Sequence, residues 1–538
     1  MKELLEFIKK YSDIPKKKII VYTLVAGISY ALILSTVNLA IGADVGSQEL
    51  RLFFLLLTLS ALHLYSKKHY MNSTSKLAGE IIKKIRINII EKIRHTELRF
   101  LETAGKGEIY TRLTEETESI LRAAPSFTMA MEGIVSFAAI FTYMIFLFPH
   151  GAIFICILMS MSIIFYTLSA IPARRKLTSS KIREAELLDK LNDVLAGFKE
   201  IRINHKKNED LFADFKAIAK EAEKLKADAM ITLNDSFMLI NIAFLGIIGG
   251  IIFMLPIIDI IENSIVISLV SSLLFLWGPM MTTFSIIPQY LIASVAIANI
   301  EKLEALIDNF DPYIPEKEPE AIADFKEITL NSVTFCYNDE DGDLLFQMGP
   351  LDFSLKKNEI IFIAGGNGSG KTTLMRLLTG LYYPEDGSVS IDGSIVTRQT
   401  YQSYRDLFST IFTDFYIFKK LYGMEDIDEN NVNELLRKME IEKKTEYIKK
   451  SFTNINLSTG QRKRLAYITA LLEDKQIYVF DEWAADQDPE FRKKFYNRFL
   501  NDMRLMGKTV IAVSHDDRYF DRADKVIKME MGKIVTLT

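Results

Sequence analysis

The 538-residue sequence is nearly free of cysteine, with only Cys156 and Cys336. Two cysteines, the first of them inside an apolar run, do not support a disulfide framework and fit a reducing environment. The net charge is also small, −4 from 65 basic and 69 acidic residues, too little to suggest a nucleic-acid partner. No tandem repeat or low-complexity segment is evident. These absences argue against a disulfide-rich secreted domain and against a nucleic-acid-binding protein.

Charge is missing altogether from four long stretches within the first 300 residues. They are Ile19–Ile41, Gly151–Ala173, Ser236–Ile258 and Asn263–Ile300. Each is at least as long as the roughly 20 residues that cross a bilayer as a helix. Two weaker stretches are Leu52–Ser66, which contains His63, and Ala123–Phe148, which is interrupted by Glu132. Hydropathy therefore predicts six membrane spans.

The basic residues beside these stretches predict their orientation. Lysines 9, 10 and 16–18 precede the first span, lysines 67, 68, 83 and 84 follow the second, and Arg174, Arg175 and Lys176 follow the fourth. The opposite connections hold Arg51 as their one strong cation. Basic residues concentrate on the cytoplasmic side, so we expect both termini there. The first apolar run is too long for a signal-peptide core, and we expect no cleavage.

The cytoplasmic connections are long and have apolar residues at helical spacing. Segments Ser75–Arg122 and Lys176–Asp228 predict helices that continue out of the membrane. Turns interrupt them at Thr103–Gly107 and Ala196–Gly197, and these turns either contact a soluble domain or are solvated hairpin bends. Proline and charge in Asp311–Glu320 predict an extended linker. The predicted domains are thus a membrane domain at 1–310, a linker at 311–320 and a soluble domain at 321–538.

The soluble part contains a phosphate-binding loop of the form G-x-x-x-x-G-K-[ST] at Gly365–Thr372. The apolar strand Glu359–Ala364 precedes the loop, and Leu374–Leu378 predicts a helix after it, which is the context that this motif requires. Backbone N–H groups and the helix N-terminus would hold phosphates. Lys371 would contact the β- and γ-phosphates, and the Thr372 hydroxyl would ligate Mg²⁺. The motif therefore predicts ATP as a ligand.

Further candidate residues follow predicted strands. Asp481 and Glu482 end the strand that starts at Ile477, and adjacent carboxylates there can divide metal binding from activation of the attacking water. His515, after another strand, is placed to sense the γ-phosphate. Tyr337 lies upstream, and its ring suits stacking on adenine, although an aromatic residue on a strand has an ordinary packing role too.

With these motifs the chain resembles the ABC transporters over nearly its whole length. The resemblance assigns Leu457–Gln461 as the signature, in which Ser458, Thr459, Gly460 and Gln461 would contact the nucleotide. It assigns the Walker A motif to Gly365, Gly366, Asn367, Gly368, Ser369, Gly370, Lys371, Thr372 and Thr373, and the Walker B motif to Asp481 and Glu482. His515 would be the switch histidine, Tyr337 the A-loop aromatic residue and Asp488 the D-loop aspartate. It implies a multidomain fold with an N-terminal six-helix transmembrane domain of the exporter type and a C-terminal α/β ABC ATPase domain.

Two positions depart from the family pattern. Thr459 stands where a signature usually has a second glycine. The Q-loop glutamine expected after the strand ending Thr410–Phe412 is replaced by Thr413, followed by Asp414. That glutamine normally joins Mg²⁺ and the attacking water to the membrane domain. We expect Asp414 to supply an oxygen to the metal or to its waters instead.

The resemblance also implies a mechanism and a cargo class. In this family the signature closes over ATP held by the opposite subunit, so one chain is half of a transporter and a homodimer is the simplest assembly. Segments Leu457–Leu465 and Phe480–Pro489 are similar to a narrower bacterial branch that exports cyclic peptides and siderophore precursors across the inner membrane. Glu132, a carboxylate inside a predicted span, would lie at a water-filled cavity on the substrate path, be paired, or be protonated, and we favour the cavity. Alternatively, the span starts near Gly133 and Glu132 lies at the cytoplasmic headgroup level.

Three functions compete at this stage. An ATP-driven exporter is favoured by the two cytoplasmic turns and by the polar residue Glu132 within a span. An ATP-gated channel or sensor does not require steady ATP turnover. The intact Glu482 supports turnover and therefore counts against this function. A lipid flippase is fully compatible with the fold, and stimulation of ATP hydrolysis by a cyclic peptide or by lipid would distinguish it.

Overall fold

The structure is a computed structural model, and it describes residues 10–11, 16–41, 49–254, 257, 262–310, 313, 320–338, 343–424 and 426–537. Most of the predicted linker 311–320 lies outside the described residues. The chain forms two compact units. The first contains residues 1–90 and 107–306, and the second contains residues 91–106 and 307–538. A short segment of the first predicted cytoplasmic connection, residues 91–106, therefore folds with the second unit.

Long helices build the first unit, and short helices lie at the turns between them; one of the short helices, Leu98–Ala104, belongs to the second unit. They are α1 Lys16–Ile41, α2 Glu49–Arg94, α3 Leu98–Ala104, α4 Lys106–Thr111, α5 Thr117–Leu147, α6 Pro149–Ala196, α7 Phe198–Ile203, α8 His205–Gly249 and α9 Asn263–Asn309. The chain turns between α3 and α4 at Gly105, whose φ of 71° favours glycine. It turns again at Gly197, between α6 and α7. Both interruptions lie where the sequence predicts them.

Five helices among the described residues are long and apolar enough to cross a membrane. They are Lys17–Ile41, Glu49–Arg94, Gly107–Leu147, His205–Met254 and Asn263–Phe284. The remaining predicted span, Gly151–Ala173, lies within α6, and most side chains of that stretch are outside the described part. The predicted architecture of a helical membrane domain with about six spans is therefore confirmed.

The second unit contains two main sheets and a hairpin. Its strands are β1 Glu327–Asn338, β2 Leu344–Lys356, β3 Ile360–Gly365, β4 Asp386–Ile391, β5 Ser394–Ile395, β6 Phe408–Ile411, β7 Tyr447–Ile448, β8 Ser451–Phe452, β9 Ile477–Asp481, β10 Thr509–Val513, β11 Lys525–Glu530 and β12 Lys533–Leu537. Its helices are α10 Lys371–Leu378, α11 Tyr401–Arg405, α12 Glu429–Lys438, α13 Thr459–Glu473, α14 Pro489–Lys494 and α15 Leu500–Leu505.

The larger sheet has the order β12-β11-β3-β10-β9-β6, and all neighbours except β11 and β12 are parallel. Every residue of β9 and β10 is buried, as expected for strands covered on both faces, whose sequences are nearly continuous apolar runs. The smaller sheet is antiparallel, with the order β2-β1-β4-β5. Because β3, β10, β9 and β6 are parallel neighbours, their carboxyl ends meet at one edge.

Candidate nucleotide site

Four of the predicted site segments follow strands that end at this edge of the larger sheet. The phosphate loop follows β3, His515 follows β10, the Asp481–Glu482 pair ends β9, and Thr413–Asp414 follows β6. In open α/β sheets, ligands bind in the crevice outside the carboxyl ends of the strands. The sheet order thus places these separate motifs side by side.

The phosphate loop has a backbone that only glycine allows at key positions. Gly365, Gly368 and Gly370 have positive φ, and a Cβ on Gly365 would lie 2.5 Å from the carbonyl oxygen of Met529. Gly370 is the N-cap of α10, so the helix starts at Lys371. Lys371 is buried, and its Nζ donates to the carbonyl oxygens of Gly365 (3.0 Å) and Gly366 (2.9 Å). The ammonium is therefore held over the loop.

Ser369 shows that this loop fits a phosphate. Its hydroxyl oxygen is buried and has no hydrogen-bond partner among the described residues, whereas buried hydroxyls are usually bonded. A phosphate oxygen would satisfy it, together with loop N–H groups at the N-terminus of α10. Lys371 and Thr372 would then contact the β- and γ-phosphates and the metal, so the residues present fit ATP.

Asp481 is positioned for a metal ion beside Thr372. Its side chain is 1% exposed, and its Oδ2 accepts a hydrogen bond from Thr372 Oγ1 at 3.3 Å. Burial, reinforced by the neighbouring Glu482 carboxylate, raises the pKa of Asp481 to about 6. A divalent cation would favour the ionised carboxylate. Mg²⁺ bound by Thr372, Asp481 and phosphate oxygens would supply charge neutralisation during hydrolysis.

Glu482 and His515 form the second pair of the site. The His515 Nε2 lies 3.0 Å from Glu482 Oε1, and both side chains are partly exposed. Glu482 has a φ of 51°, in the left-handed region that is uncommon for a residue with a side chain. The pair suits a water-activating carboxylate and a side chain that holds it.

Tyr337 lies near the phosphate loop, and its hydroxyl makes hydrogen bonds to other side chains of the same chain. The hydroxyl donates to the Tyr382 hydroxyl at 3.1 Å and lies 3.4 Å from Thr373 Oγ1. Its ring packs edge-on against Phe335, with centroids 5.1 Å apart. The half-buried Tyr337 thus joins β1 to the helix of the phosphate loop, and its stacking on adenine stays a prediction.

The signature residues begin α13. Ser458 is the N-cap and shares a capping box with Gln461. Gly460 packs closely on the turn after β9, because a Cβ there would lie 2.8 Å from the Asp486 carbonyl oxygen. Thr459, where the family has glycine, is exposed at the first helical position, which a threonine can occupy. A helix N-terminus of this kind favours an anion through its dipole, and nucleotide binding by these residues stays a prediction.

Asp488 has a structural partner in its own chain. It caps α14 by accepting from the Phe491 N–H at 2.8 Å, and it pairs with Arg464 at 2.7 Å. These contacts lower the pKa of Asp488, the bond from Phe491 most of all. Because Arg464 is on α13, Asp488 connects that helix to the segment after β9.

Thr413 lies close enough to Asp481 for its backbone N–H to lower the pKa of that carboxyl slightly, against the larger effect of burial. Asp414, the next residue, is exposed on the loop. The loop after β6 therefore lies beside Asp481, although it lacks the usual glutamine. A metal-linked role for Asp414 itself stays a prediction.

The first predicted cytoplasmic turn, at 103–107, supplies contacts that the sequence did not predict. Within the second unit, Glu102 of α3 pairs with Arg376 of α10 at 2.9 Å and accepts a hydrogen bond from Tyr382. Arg99 pairs with Glu385 at 3.3 Å. The signal available beforehand was only the turn at 103–107, because the partners lie about 280 residues apart in sequence.

Glu132 of α5 is buried and paired. Its Oε2 accepts from the Tyr70 hydroxyl and lies 3.4 Å from Lys67 Nζ, and its Oε1 is 3.8 Å from His63 Nε2. Of the arrangements considered for a carboxylate in a span, the structure shows pairing, between α5 and α2. A role in the substrate path stays a prediction.

Two family descriptions match the chain. Residues 43–280 match "ABC transporter transmembrane region", and residues 348–485 match "ABC transporter". The chain is 34% identical over 305 residues to the ATP-binding protein SyrD of Pseudomonas syringae pv. syringae, covering 54% of this chain and 53% of that protein, so it spans about half of that relative. It is 22% identical over 489 residues to the ATP-dependent lipid A-core flippase of Wigglesworthia glossinidia brevipalpis, and this alignment covers 86% of this chain and 81% of that protein.

The fold has a near full-length counterpart among solved structures. A bacterial Atm1-family ABC exporter with ATP bound aligns with a TM-score of 0.75 at 18% identity, covering 98% of this chain and 96% of that one. At this identity the likeness concerns the fold.

A helical membrane domain followed by a parallel-sheet ATPase with this motif set defines a membrane-transport ATPase. The chain belongs to the ABC transporters, and its architecture is that of an exporter half-transporter. The predicted family, fold class and ATP-hydrolysing transporter activity are confirmed.

Proposed function

We propose that two copies of this chain form a homodimer that hydrolyses Mg²⁺-ATP to export a cyclic or modified peptide, such as a siderophore-type peptide, across a bacterial inner membrane. Both termini would lie in the cytoplasm. Each chain has one phosphate loop and one signature helix, so two copies provide two equivalent sites. The intact Glu482–His515 pair, 3.0 Å apart, is the observation that carries the proposal, because it equips each site for turnover rather than for binding alone.

The residue roles in this proposal follow from the geometry of the sheet edge. Lys371 and Ser369 would bind phosphate oxygens, and Thr372 and Asp481 would hold Mg²⁺. Glu482 would accept the proton of the attacking water, with His515 holding its carboxylate. Ser458–Gln461 would bind the γ-phosphate of ATP in the partner chain through the N-terminus of α13.

Coupling to the membrane domain would use the first cytoplasmic turn. Glu102 contacts Arg376, which lies on the same helix as Lys371 and Thr372. A movement of the phosphate loop would thus be transmitted to α3 through the ion pair between Glu102 and Arg376. This contact offers a route of coupling in a chain without the usual glutamine after β6.

The peptide assignment is supported by the two motif segments shared with the peptide-exporting branch, and transport in defined vesicles would test it. Purified chain in inside-out proteoliposomes would be given ATP with a cyclic lipopeptide or with a linear peptide of equal composition. We expect the cyclic peptide to stimulate ATP hydrolysis at least twofold and to accumulate inside. The Glu482→Gln variant serves as the inactive control.

Other outcomes would replace the peptide assignment. ATP-dependent movement of a fluorescent lipid, with no peptide accumulation, would identify a flippase. An ATP-dependent ion conductance without movement of either compound would identify a gated channel. A chain that remains monomeric with ATP in lipid nanodiscs, by mass measurement, would overturn the homodimer.

A further inference from the structure

Lys463 is a buried cation that the chemistry described so far does not use. Its side chain is 3% exposed, and its Nζ lies 2.6 Å from both the Glu482 carbonyl oxygen and Asp486 Oδ2. Burial of an ammonium is unfavourable unless the group is paired and hydrogen-bonded. The two contacts satisfy this requirement, and one of them is made to the backbone of Glu482.

The helix around Lys463 is fastened to the same turn at several points. Trp483 Nε1 donates to the Lys463 carbonyl oxygen at 2.7 Å, and Gln487 Nε2 donates to the Gly460 carbonyl oxygen at 3.0 Å. Gly460 also lies against Asp486 with no space for a Cβ. The start of α13 and the turn 482–487 therefore form one rigid piece, in which Lys463 is the central polar contact.

Glu482 needs such support because its backbone is in the left-handed region. Its carbonyl oxygen accepts from Lys463 Nζ and, at 3.2 Å, from the Ala485 N–H. Its carboxylate is held separately by His515. A displacement of the Glu482 backbone would move the carboxylate relative to the phosphate loop, and small misplacements of a reacting group lower rates strongly.

We propose that Lys463 is a positioning residue that sets the orientation of Glu482 and links it to the signature helix. The helix expected to close on the partner's ATP would thereby place the carboxylate that acts on ATP in its own chain. The proposal rests on the proposed function in one respect, namely that Glu482 is the catalytic carboxylate.

The test compares Lys463→Met with a matched variant, Lys508→Met, in the full-length chain in nanodiscs. Lys508 is likewise largely buried, and its Nζ contacts the carboxylate and the carbonyl oxygen of Asp474 at the other end of α13. We expect Lys463→Met to lower kcat at least tenfold, with KM for ATP and the Kd of an ATP analogue within twofold of wild type. Lys508→Met should keep kcat within twofold. Equal losses in both variants would reduce Lys463 to a general structural role.

A double-mutant cycle separates action through Glu482 from action elsewhere. In a Glu482→Gln background, Lys463→Met should change the residual rate less than twofold, and a further tenfold loss would overturn the proposal. If Lys463→Met cannot be purified, Asp486→Asn tests the same contact, with an expected fall in kcat at unchanged KM. Wild-type kcat in either variant would contradict the positioning role. Normal hydrolysis by Glu482→Gln itself would instead refute the proposed catalytic carboxylate.

Discussion

His515 Nε2 lies 3.0 Å from Glu482 Oε1, although the two residues follow different strands of the larger sheet, β10 and β9. The parallel pairing of β9 with β10 aligns Val513 with Asp481, so the residues that follow both strands emerge together. A histidine so placed can hold the carboxylate and detect the γ-phosphate next to it.

Glu482→Gln should abolish turnover and leave ATP binding intact. The amide keeps the shape and the contact to His515 but cannot accept a proton, and a general base typically contributes about 10²–10⁴-fold in rate. Steady-state hydrolysis and ATP titration on the same preparation would check this. Near wild-type hydrolysis would remove Glu482 from the catalytic role.

Lys371→Ala should weaken ATP binding itself. The variant lacks the ammonium that is bonded to Gly365 and Gly366 in this structure and that would contact the phosphates when ATP is bound. A hydrogen bond to a charged group contributes about 1.5–3 kcal/mol, which corresponds to roughly 10–150-fold in Kd. Calorimetric titration measures the change. Lys528→Ala, which removes an exposed lysine paired with Glu530, should leave the Kd unaltered.

Asp481→Asn should raise the thermal stability of the nucleotide-free protein at neutral pH. The pKa of Asp481 is raised to about 6 in the folded state from its ordinary 3.8, so the folded state binds a proton more tightly than the unfolded state does. Stability therefore falls as pH rises from about 4 to 6, by at most about 3 kcal/mol. Asparagine does not ionise, so the variant does not lose stability over this pH range.

Thermal unfolding of both proteins from pH 4 to pH 7.5 would check the prediction. The difference in Tm should be largest above pH 6 and should vanish towards pH 4. Mg²⁺ with ATP should reduce the difference at neutral pH, since the cation favours the ionised aspartate. A constant Tm difference across the range would show that the carboxylate does not titrate as expected.

Glu102→Gln should uncouple transport from hydrolysis. The variant keeps the side-chain shape but loses the charge that pairs with Arg376, so α3 would follow the phosphate-loop helix less closely. We expect cargo accumulation in vesicles to fall at least threefold while ATP hydrolysis without cargo changes less than twofold. Glu186→Gln, which breaks an exposed ion pair with Arg183 on α6, is the control.

Glu132→Ala should lower the thermal stability of the protein, because it leaves the buried Tyr70 hydroxyl without the carboxylate that accepts its hydrogen bond. Labelling of Glu132→Cys, with Cys156 and Cys336 replaced, by a polar thiol reagent reports access to the site. We expect slow labelling without nucleotide, since Glu132 is 6% exposed. A rate that changes with ATP would support the substrate path, and fast labelling in every state would place the residue at the membrane surface.

The motifs that depend on local sequence could be predicted closely. The strand before the acidic pair was expected from Ile477 onward, and β9 is Ile477–Asp481. The phosphate loop lies between β3 and α10 as its motif requires. Continuous apolar runs and glycine positions determine such elements through neighbouring residues alone.

Contacts between distant segments could not be predicted in this way. Nothing in the spacing indicates that Lys463 donates to the Glu482 carbonyl oxygen or that Glu102 pairs with Arg376. Lys463 is one of many lysines near acidic residues, and Glu102 belongs to a charged connection that equally suits a solvated bend. Their partners are set by how α13 and α3 pack on the ATPase core, which is a property of the whole fold.

By itself, the sequence determined that this chain crosses a membrane and binds ATP, because runs without charge and the phosphate loop act through local hydrophobicity and local backbone geometry. Only the tertiary structure decided which groups meet at the carboxyl edge of the larger sheet, and that Glu132 is paired with Lys67 and Tyr70. The physical reason is that the packing of the buried interior determines which polar and charged groups become hydrogen-bond or ion-pair partners. A charged or polar group removed from water must be satisfied by whatever the packing brings near it, and the packing is set by all of the strands and helices together.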